Sequence, residues 1–116
     1  MKLYRALQSQ GFGSRKGCVA QVRAGAVAVN GMVCDDPETE VDPAGLELTL
    51  DGVAWAFREK AYVLMHKPSG YECSHHPSHH LSVFSLLPAP LLQRGVQCVG
   101  RLDQDTTGLL LFSDDG

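Results

Sequence analysis

The segment "GRLDQDTTGLLLFSDDG", residues 100–116, places charged and hydroxyl-bearing residues directly before four consecutive apolar ones. The apolar run at residues 109–112 predicts a buried strand, and residues 96–99 are apolar enough to predict another strand before it. Asp103 therefore lies on a loop carried between two strands. Such loops commonly bear functional side chains, because the strands fix their position while the loop exposes them.

The small residues of this segment predict a loop with a restricted backbone. Gly100 and Gly108 stand at its two ends, where the chain must turn tightly or let another molecule approach closely. Thr106 and Thr107 carry hydroxyl groups that can hydrogen-bond the loop to itself. The order of residues thus predicts a charged group on a short loop next to a core strand.

Arg101 stands two residues before Asp103, so in an extended segment both side chains project to the same side. A guanidinium in that position can orient the carboxylate and favour its ionised form. It can also bind a phosphate group instead. The sequence leaves both roles of Arg101 open.

The region before this segment predicts mixed structure. A short connector, a buried strand and a long polar loop follow one another at residues 58–61, 62–65 and 66–80. The stretch "LSVFSLL", residues 81–87, predicts a short helix, and Pro88 and Pro90 are expected to end it.

The first half of the chain predicts two helices and two hairpins. Residues 2–10 place apolar side chains at helical spacing, and Ser14 is a natural N-cap for a second helix through about Arg23. Leucines alternate along residues 46–50, as in a half-buried strand. Two turn signals flanked by apolar residues predict the hairpins: Asn30-Gly31 and Asp51-Gly52.

Charge is unevenly distributed along the chain, although the net charge is only −3. Residues 1–34 contain five basic residues and no acid, whereas residues 35–51 contain seven acids and no base. This asymmetry predicts an RNA-binding face beside a solvated acidic flank. The alternative is two oppositely charged surfaces that bind no ligand.

Composition excludes several other classes of protein. No apolar run approaches the ~20 residues of a membrane span, and the N-terminus lacks the apolar core of a signal peptide. Four widely spaced cysteines form no C-x-x-C pair, which disfavours a zinc ribbon and a disulfide framework. We therefore expect a cytoplasmic protein with reduced thiols.

The stretch "SRKGCVAQVRAGAVAVNG", residues 14–31, resembles the ribosomal S4-type RNA-binding domain. The similarity covers a capped basic helix, an Arg-Ala-Gly sequence, and a Val-x-Val-Asn-Gly strand and turn. It implies that Arg15, Lys16 and Arg23 lie on a face that binds structured RNA. This is physically reasonable, because cations on a rigid helix contact phosphates without reading bases.

Two further stretches, "HKPSGY" (66–71) and "VGRLDQDTTGLLLFSDDG" (99–116), resemble the catalytic domain of a pseudouridine synthase. Their order and separation also match that family. The Gly-Arg-Leu-Asp form is similar to the ribosomal-RNA branch (RsuA-like and RluB-E-F-like), whose members carry an S4-type domain first. The "YECS" (71–74) and "SDDG" (113–116) elements favour enzymes acting on small-subunit (16S) RNA, with a large-subunit enzyme as the alternative.

The resemblance also implies roles for individual residues. Asp103 becomes the nucleophile or base that acts on an everted uridine, and Arg101 and Tyr71 become supporting residues of its pocket. Lys67 is expected at the RNA entrance. The reaction is an isomerisation, so it implies no metal, redox cofactor or nucleoside triphosphate.

Taken together, these patterns predict an α+β protein. A small helix-helix-strand RNA-binding domain (1–57) and a linker (58–61) precede the first part of a mixed, mainly antiparallel catalytic domain (62–116). Enzymes of this type are roughly twice as long, so we expect an N-terminal portion that is inactive alone. The expected partner is ribosomal RNA or a pre-ribosomal particle, with no membrane, and the full-length protein is expected to be a monomer.

Three alternatives remain from the residues. Asp103 and Asp105 form a carboxylate pair of the kind glycosidases use, although such pairs normally come from separate segments. The histidines of the polar loop suggest either a metal site or a mobile loop near RNA; they are His75, His76, His79 and His80. The chain can also be an RNA-binding module without catalytic activity.

Overall fold

The computed structural model describes residues 1–78 and 80–115. The chain divides into two compact units, one spanning Met1–Glu59 and the other beginning at Lys60. Both combine short helices with small sheets, which confirms the predicted α+β class. In the described residues, no helix is long and apolar enough to cross a membrane.

The first unit contains two helices followed by four antiparallel strands. The strands form one sheet in the order β2-β1-β3-β4. The elements are α1 (Leu3–Ser9), α2 (Arg15–Arg23), β1 (Val27–Val29), β2 (Met32–Val33), β3 (Glu47–Leu50) and β4 (Val53–Ala56).

Local signals in the sequence set the boundaries of these elements. The Ser14 hydroxyl accepts a hydrogen bond from the Gly17 N–H at 3.1 Å and so caps α2. Asn30 has a φ of 49° and Gly31 a φ of 85°, the left-handed pair that a two-residue hairpin turn requires. The predicted hairpins are both present. Val53, which follows the second turn, is exposed.

The core of the first unit joins both helices to β1 and β3. Leu48 is fully buried and Leu46 and Leu50 nearly so, as the alternation of leucines predicts. Trp55 packs against this core and meets the Phe12 ring edge-on, with 5.6 Å between centroids. The remaining buried members are Leu3, Tyr4, Ala6, Leu7, Cys18, Val22, Val27 and Val41.

The acidic segment that follows β2 contacts the start of α1. The Leu3 N–H donates to the Thr39 carbonyl at 2.8 Å, which satisfies a helix N–H group that has no partner within the helix. Lys2 Nζ lies 2.7 Å from a Glu38 carboxylate oxygen, and this hydrogen bond and charge raise the pKa of Lys2. All seven acids of residues 35–51 are exposed, as expected of a solvated acidic flank, and Glu38 additionally pairs with Lys2 near the chain's N-terminus.

The second unit contains a three-stranded antiparallel sheet and a two-stranded parallel one. The sheet orders are β5-β9-β8 and β6-β7. The elements are β5 (Tyr62–Lys67), β6 (Tyr71–Glu72), β7 (Leu81–Ser82), a 3-10 helix (Val83–Leu86), α3 (Ala89–Gln93), β8 (Gln97–Val99) and β9 (Gly108–Ser113).

The strands β5 and β9 are half-buried, whereas the sequence predicted two buried strands. Leu110 and Phe112 of β9 are buried, but Leu109 is 71% exposed. On β5, Leu64 is 69% exposed, although its neighbours Val63 and Met65 pack against the core. Alternating side chains point to opposite faces of a strand, so a continuous apolar run can still leave one face open.

The helix predicted at residues 81–87 is also different in the structure. Residues 81–82 pair as a strand, and only Val83–Leu86 form a 3-10 turn. Pro88 and Pro90 do not end a helix; they stand at the start of α3. Proline suits the first turn of a helix because the N–H group it lacks has no intrahelical partner there.

An ion pair joins α3 to the end of β9. Arg94 Nε lies 2.7 Å from Asp114 Oδ2, and both side chains are largely buried. Burial raises the pKa of Asp114, but the hydrogen bond from the Ala61 N–H and the Arg94 guanidinium outweigh it, so the net pKa is lowered. Asp114, predicted only as part of a terminal turn, therefore connects three segments of the second unit.

Candidate functional site

The loop between β8 and β9 presents Asp103 to solvent. Arg101 and Asp103 are both exposed, while Leu102 between them packs partly buried against the core of the second unit. Gly100 has a φ of 82°, a conformation that favours glycine. The Thr106 N–H donates to the Asp103 carbonyl at 3.0 Å, so backbone hydrogen bonding closes the turn.

Lys67 joins this loop to the end of β5 from inside the protein. Its side chain is fully buried, and its ammonium group donates three hydrogen bonds. The acceptors are the carbonyl oxygens of Pro68 at 3.0 Å, Gln104 at 3.1 Å and Thr106 at 2.8 Å. All three donor positions of the ammonium group therefore bind backbone oxygens in this structure, and contact of Lys67 with RNA stays a prediction.

Further hydrogen bonds connect the loop to the residues that follow Lys67. The Gly70 N–H donates to the Gln104 carbonyl at 2.6 Å. The Cys73 thiol donates to the Leu102 carbonyl at 3.4 Å and accepts from the Leu102 N–H at 3.5 Å. Two stretches about thirty residues apart in sequence are thus joined side by side.

Arg101 uses part of its guanidinium to bind this neighbouring stretch. Its Nη2 donates to the Cys73 carbonyl at 3.0 Å. Across residues 1–78 and 80–115, no ion pair between Arg101 and Asp103 is present. The structure therefore places the side chains of Arg101 and Asp103 at one site. It does not show the ion pair between them that was one of the two roles the sequence allowed for Arg101.

A cavity of about 310 Å³ lies beside Asp103, within the ~300–1,000 Å³ typical of small-ligand sites. Tyr71, predicted to support the site, is half-buried against the core of the second unit and is not among the residues lining this cavity. The lining consists of Glu72, Cys73, Ser74, Arg101, Leu102, Asp103 and Gln104.

The Cys98 thiol near this site is protonated at neutral pH. Burial, and then the neighbouring Cys73, raise the pKa of the Cys98 thiol to about 11. A protonated thiol is a poor nucleophile, so Cys98 does not compete with Asp103 for that role.

The described part of the chain shows no metal site at the loop histidines. In residues 1–78 and 80–115, no three His, Cys, Asp or Glu side chains are grouped so that they could hold a metal ion. His79, one member of the predicted cluster, lies outside the described residues.

In the first unit, α2 carries the predicted cationic face. Arg15, Lys16 and Arg23 are all exposed. At about 100° per residue they fall within one arc of the helix surface. The Arg15 guanidinium lies 5.1 Å from the centroid of the buried Tyr4 ring, and that of Arg5 lies 5.6 Å from it. Arg5 is a cation that sequence reasoning did not single out; only the local excess of positive charge indicated it.

Comparison with known protein families gives two matches on this chain. A family described as "S4 domain" matches residues 1–47. A family described as "RNA pseudouridylate synthase" matches residues 61–116. The first match contains the cationic helix, and the second contains Asp103 together with the Lys67 and Cys73 stretch.

Curated relatives span both units. "Uncharacterized RNA pseudouridine synthase YtzG" of Bacillus subtilis is 38% identical over the whole chain, which covers 48% of that relative. "Ribosomal large subunit pseudouridine synthase B" of Vibrio cholerae is 37% identical over 99% of the chain and 37% of its own length. "Ribosomal small subunit pseudouridine synthase A" of Vibrio parahaemolyticus is 33% identical over 89% of the chain and 43% of its own length. The chain thus spans less than half of each.

Proposed function

We propose, from the premise that this chain belongs to the RNA pseudouridylate synthase family and carries an S4 domain, that the protein isomerises a uridine of ribosomal RNA to pseudouridine. The observation that carries this proposal is the exposed carboxylate of Asp103 beside a cavity, on a loop hydrogen-bonded to a second stretch of the chain. Relatives named for ribosomal RNA support the substrate class.

The reaction breaks the bond between the ribose C1′ and uracil N1 and forms a bond from C1′ to uracil C5. No atom is added or lost, so the chemistry needs neither a redox cofactor nor a co-substrate. It needs one carboxylate that attacks or deprotonates the sugar–base unit, and we assign this role to Asp103. Asp105 lies on the same short loop but does not line the cavity.

The target uridine must leave the RNA stack to reach Asp103, at a cost of a few kcal/mol. The cavity beside the carboxylate offers a place for the everted base. Arg101 lines the same cavity and binds the Cys73 carbonyl through one nitrogen, which leaves further N–H donors for a phosphate oxygen. We therefore assign Arg101 to the positioning of the RNA backbone.

The first unit supplies affinity for RNA in this proposal. Arg15, Lys16 and Arg23 bind phosphates from the exposed face of α2, and Arg5 joins them beside the Tyr4 ring. Such contacts position structured RNA without selecting a sequence.

Replacing Arg15, Lys16 and Arg23 together by Ala is expected to weaken RNA binding and to flatten its dependence on salt. Three lost phosphate contacts should lower the slope of log Kd against log salt by about 2. Fluorescence anisotropy with a structured rRNA fragment at several salt concentrations measures both. The charge-matched control replaces Lys2, Arg58 and Lys60 by Ala; equal slopes for the two variants would show that α2 does not face the RNA.

The function itself is tested with the full-length protein and unmodified transcripts of both ribosomal RNAs, with no co-substrate added. We expect tritium release from 5-tritiated uridine and one new pseudouridine in the small-subunit transcript, because the "YECS" and "SDDG" elements favour that branch. Modification of the large-subunit transcript alone would contradict the choice of subunit. No pseudouridine in either transcript would refute the proposed activity.

We further place the protein in the cytoplasm, with ribosomal RNA or a pre-ribosomal particle as its partner and the full-length protein as a monomer. The names of the relatives support the ribosomal partner. The division of the chain at residues 57 and 61 also stays a proposal, alongside the two compact units of the structure.

A further inference from the structure

A second cavity lies next to the one at Asp103. It has a volume of about 330 Å³ and shares Cys73, Ser74 and Arg101 with its neighbour. Its other walls are formed by His75, His76, Phe84, Gln97 and Cys98. Arg101 lines both cavities, so the two cavities share one wall.

His75 lies in this second cavity with its ring fixed on two sides. The imidazole stacks on the Phe84 ring at 3.7 Å between centroids and 16° between planes. Its Nε2 atom lies 3.1 Å from Gln97 Oε1. Phe84 is buried and meets the buried Phe112 ring edge-on at 5.4 Å. The imidazole therefore rests on the aromatic core of the second unit.

The backbone around His75 is hydrogen-bonded as well. The Glu72 carboxylate accepts from the Ser78 N–H at 3.0 Å and from the His80 N–H at 3.2 Å. The Ser74 hydroxyl accepts from the His76 N–H at 3.1 Å. These contacts preorganise the loop, so the ring of His75 requires little further ordering when a ligand binds.

The outer face of His75 is the part available to a ligand. His75 is exposed to solvent although Phe84 covers one of its faces and Gln97 engages one edge. An imidazole that served only to fill the core would be buried. Flat, exposed rings supported from behind are the surfaces on which unstacked RNA bases stack.

We propose that His75 and the second cavity bind the base of a nucleotide adjacent to the target uridine, by stacking on the outer face of the imidazole. This rests on the proposed function for the identity of the polynucleotide as RNA. Arg101, between the two cavities, then lies beside the backbone that links the two nucleotides. His75 acts as a binding residue for the neighbouring base and takes no part in the chemistry at Asp103.

The test uses a single-stranded RNA nonamer of uridines with one central 2-aminopurine, whose fluorescence falls when the base stacks on an aromatic ring. We expect quenching with the unmodified protein and with His75→Phe, which keeps the ring. His75→Ala should remove the quenching and weaken binding about tenfold. His66→Ala, an exposed histidine on β5 outside the cavity, is the matched control and should behave as the unmodified protein.

In the binding measurement, two results would overturn the stacking proposal: unchanged quenching and affinity in His75→Ala, or equal losses in His75→Phe and His75→Ala. The measurement involves no turnover, so it stands even if no pseudouridine is formed. With an active enzyme, His75→Ala should raise KM for the rRNA transcript about tenfold while kcat stays within about twofold. Normal KM would refute the stacking site and leave the proposed activity intact.

Discussion

Asp103→Asn is expected to abolish pseudouridine formation by the full-length protein while RNA affinity stays within about twofold. Asparagine has nearly the same shape as aspartate but carries no negative charge and is a poor nucleophile or base. Removal of a nucleophile typically lowers kcat by ~10⁴-fold or more. Asp103 is exposed, and no hydrogen bond to its carboxylate is present within residues 1–78 and 80–115, so the loop should keep its structure.

The matched control for this variant is Asp105→Asn, which removes an exposed carboxylate two residues away. We expect nearly normal activity, measured by tritium release alongside anisotropy with the same transcript. Equal loss of activity in both variants would favour a catalytic carboxylate pair instead. If the unmodified protein binds the transcript but neither it nor Asp103→Asn forms product, the chain is a binding module without catalysis.

Lys67→Met is expected to destabilise the second unit by about 3–5 kcal/mol, because the variant removes three hydrogen bonds made by a fully buried ammonium group. Methionine keeps most of the side chain's volume, so the effect reports the ammonium group. The same change should increase hydrogen exchange at the Gly70 amide, which binds the Gln104 carbonyl in the adjoining stretch. Urea unfolding and amide exchange measure the two effects.

Lys60→Met serves as the control, because Lys60 is exposed at the start of the second unit. A change below about 0.5 kcal/mol is expected there, as for most surface substitutions. If Lys67→Met instead leaves stability and Gly70 exchange unchanged but weakens RNA binding, Lys67 contacts RNA after all. The two roles of this lysine therefore predict opposite sets of results.

The position of the candidate site could be predicted in outline, but not its construction. The order of residues around Asp103 places it on a loop between two strands, and β8 and β9 are present as expected. The burial of Lys67 depends on the pairing of β5 with β9, which lies some forty residues further along the chain. A lysine beside a family motif carries no local sign that its ammonium will meet three carbonyl groups.

The same limit applies to His75 and to the acidic segment. Four histidines in a polar stretch indicate that their side chains are exposed. They do not indicate that His75 stacks on Phe84, because Phe84 belongs to the 3-10 helix that follows later in the chain. The acids after β2 indicate a solvated surface, yet Glu38 meets Lys2 because the chain returns to the start of α1. Neither contact can be read from neighbouring residues.

The sequence by itself determined the elements whose causes are local. Ser14 caps α2, Asn30-Gly31 adopts the hairpin turn, and alternating leucines form one face of β3. In each case the deciding residues lie within a few positions of one another, so propensity and hydrogen bonding act without distant partners. The tertiary structure alone decided that Lys67 is buried, that Leu109 is exposed and that His75 rests on Phe84. Each of these depends on which distant segments come into contact, and that is a property of the folded chain.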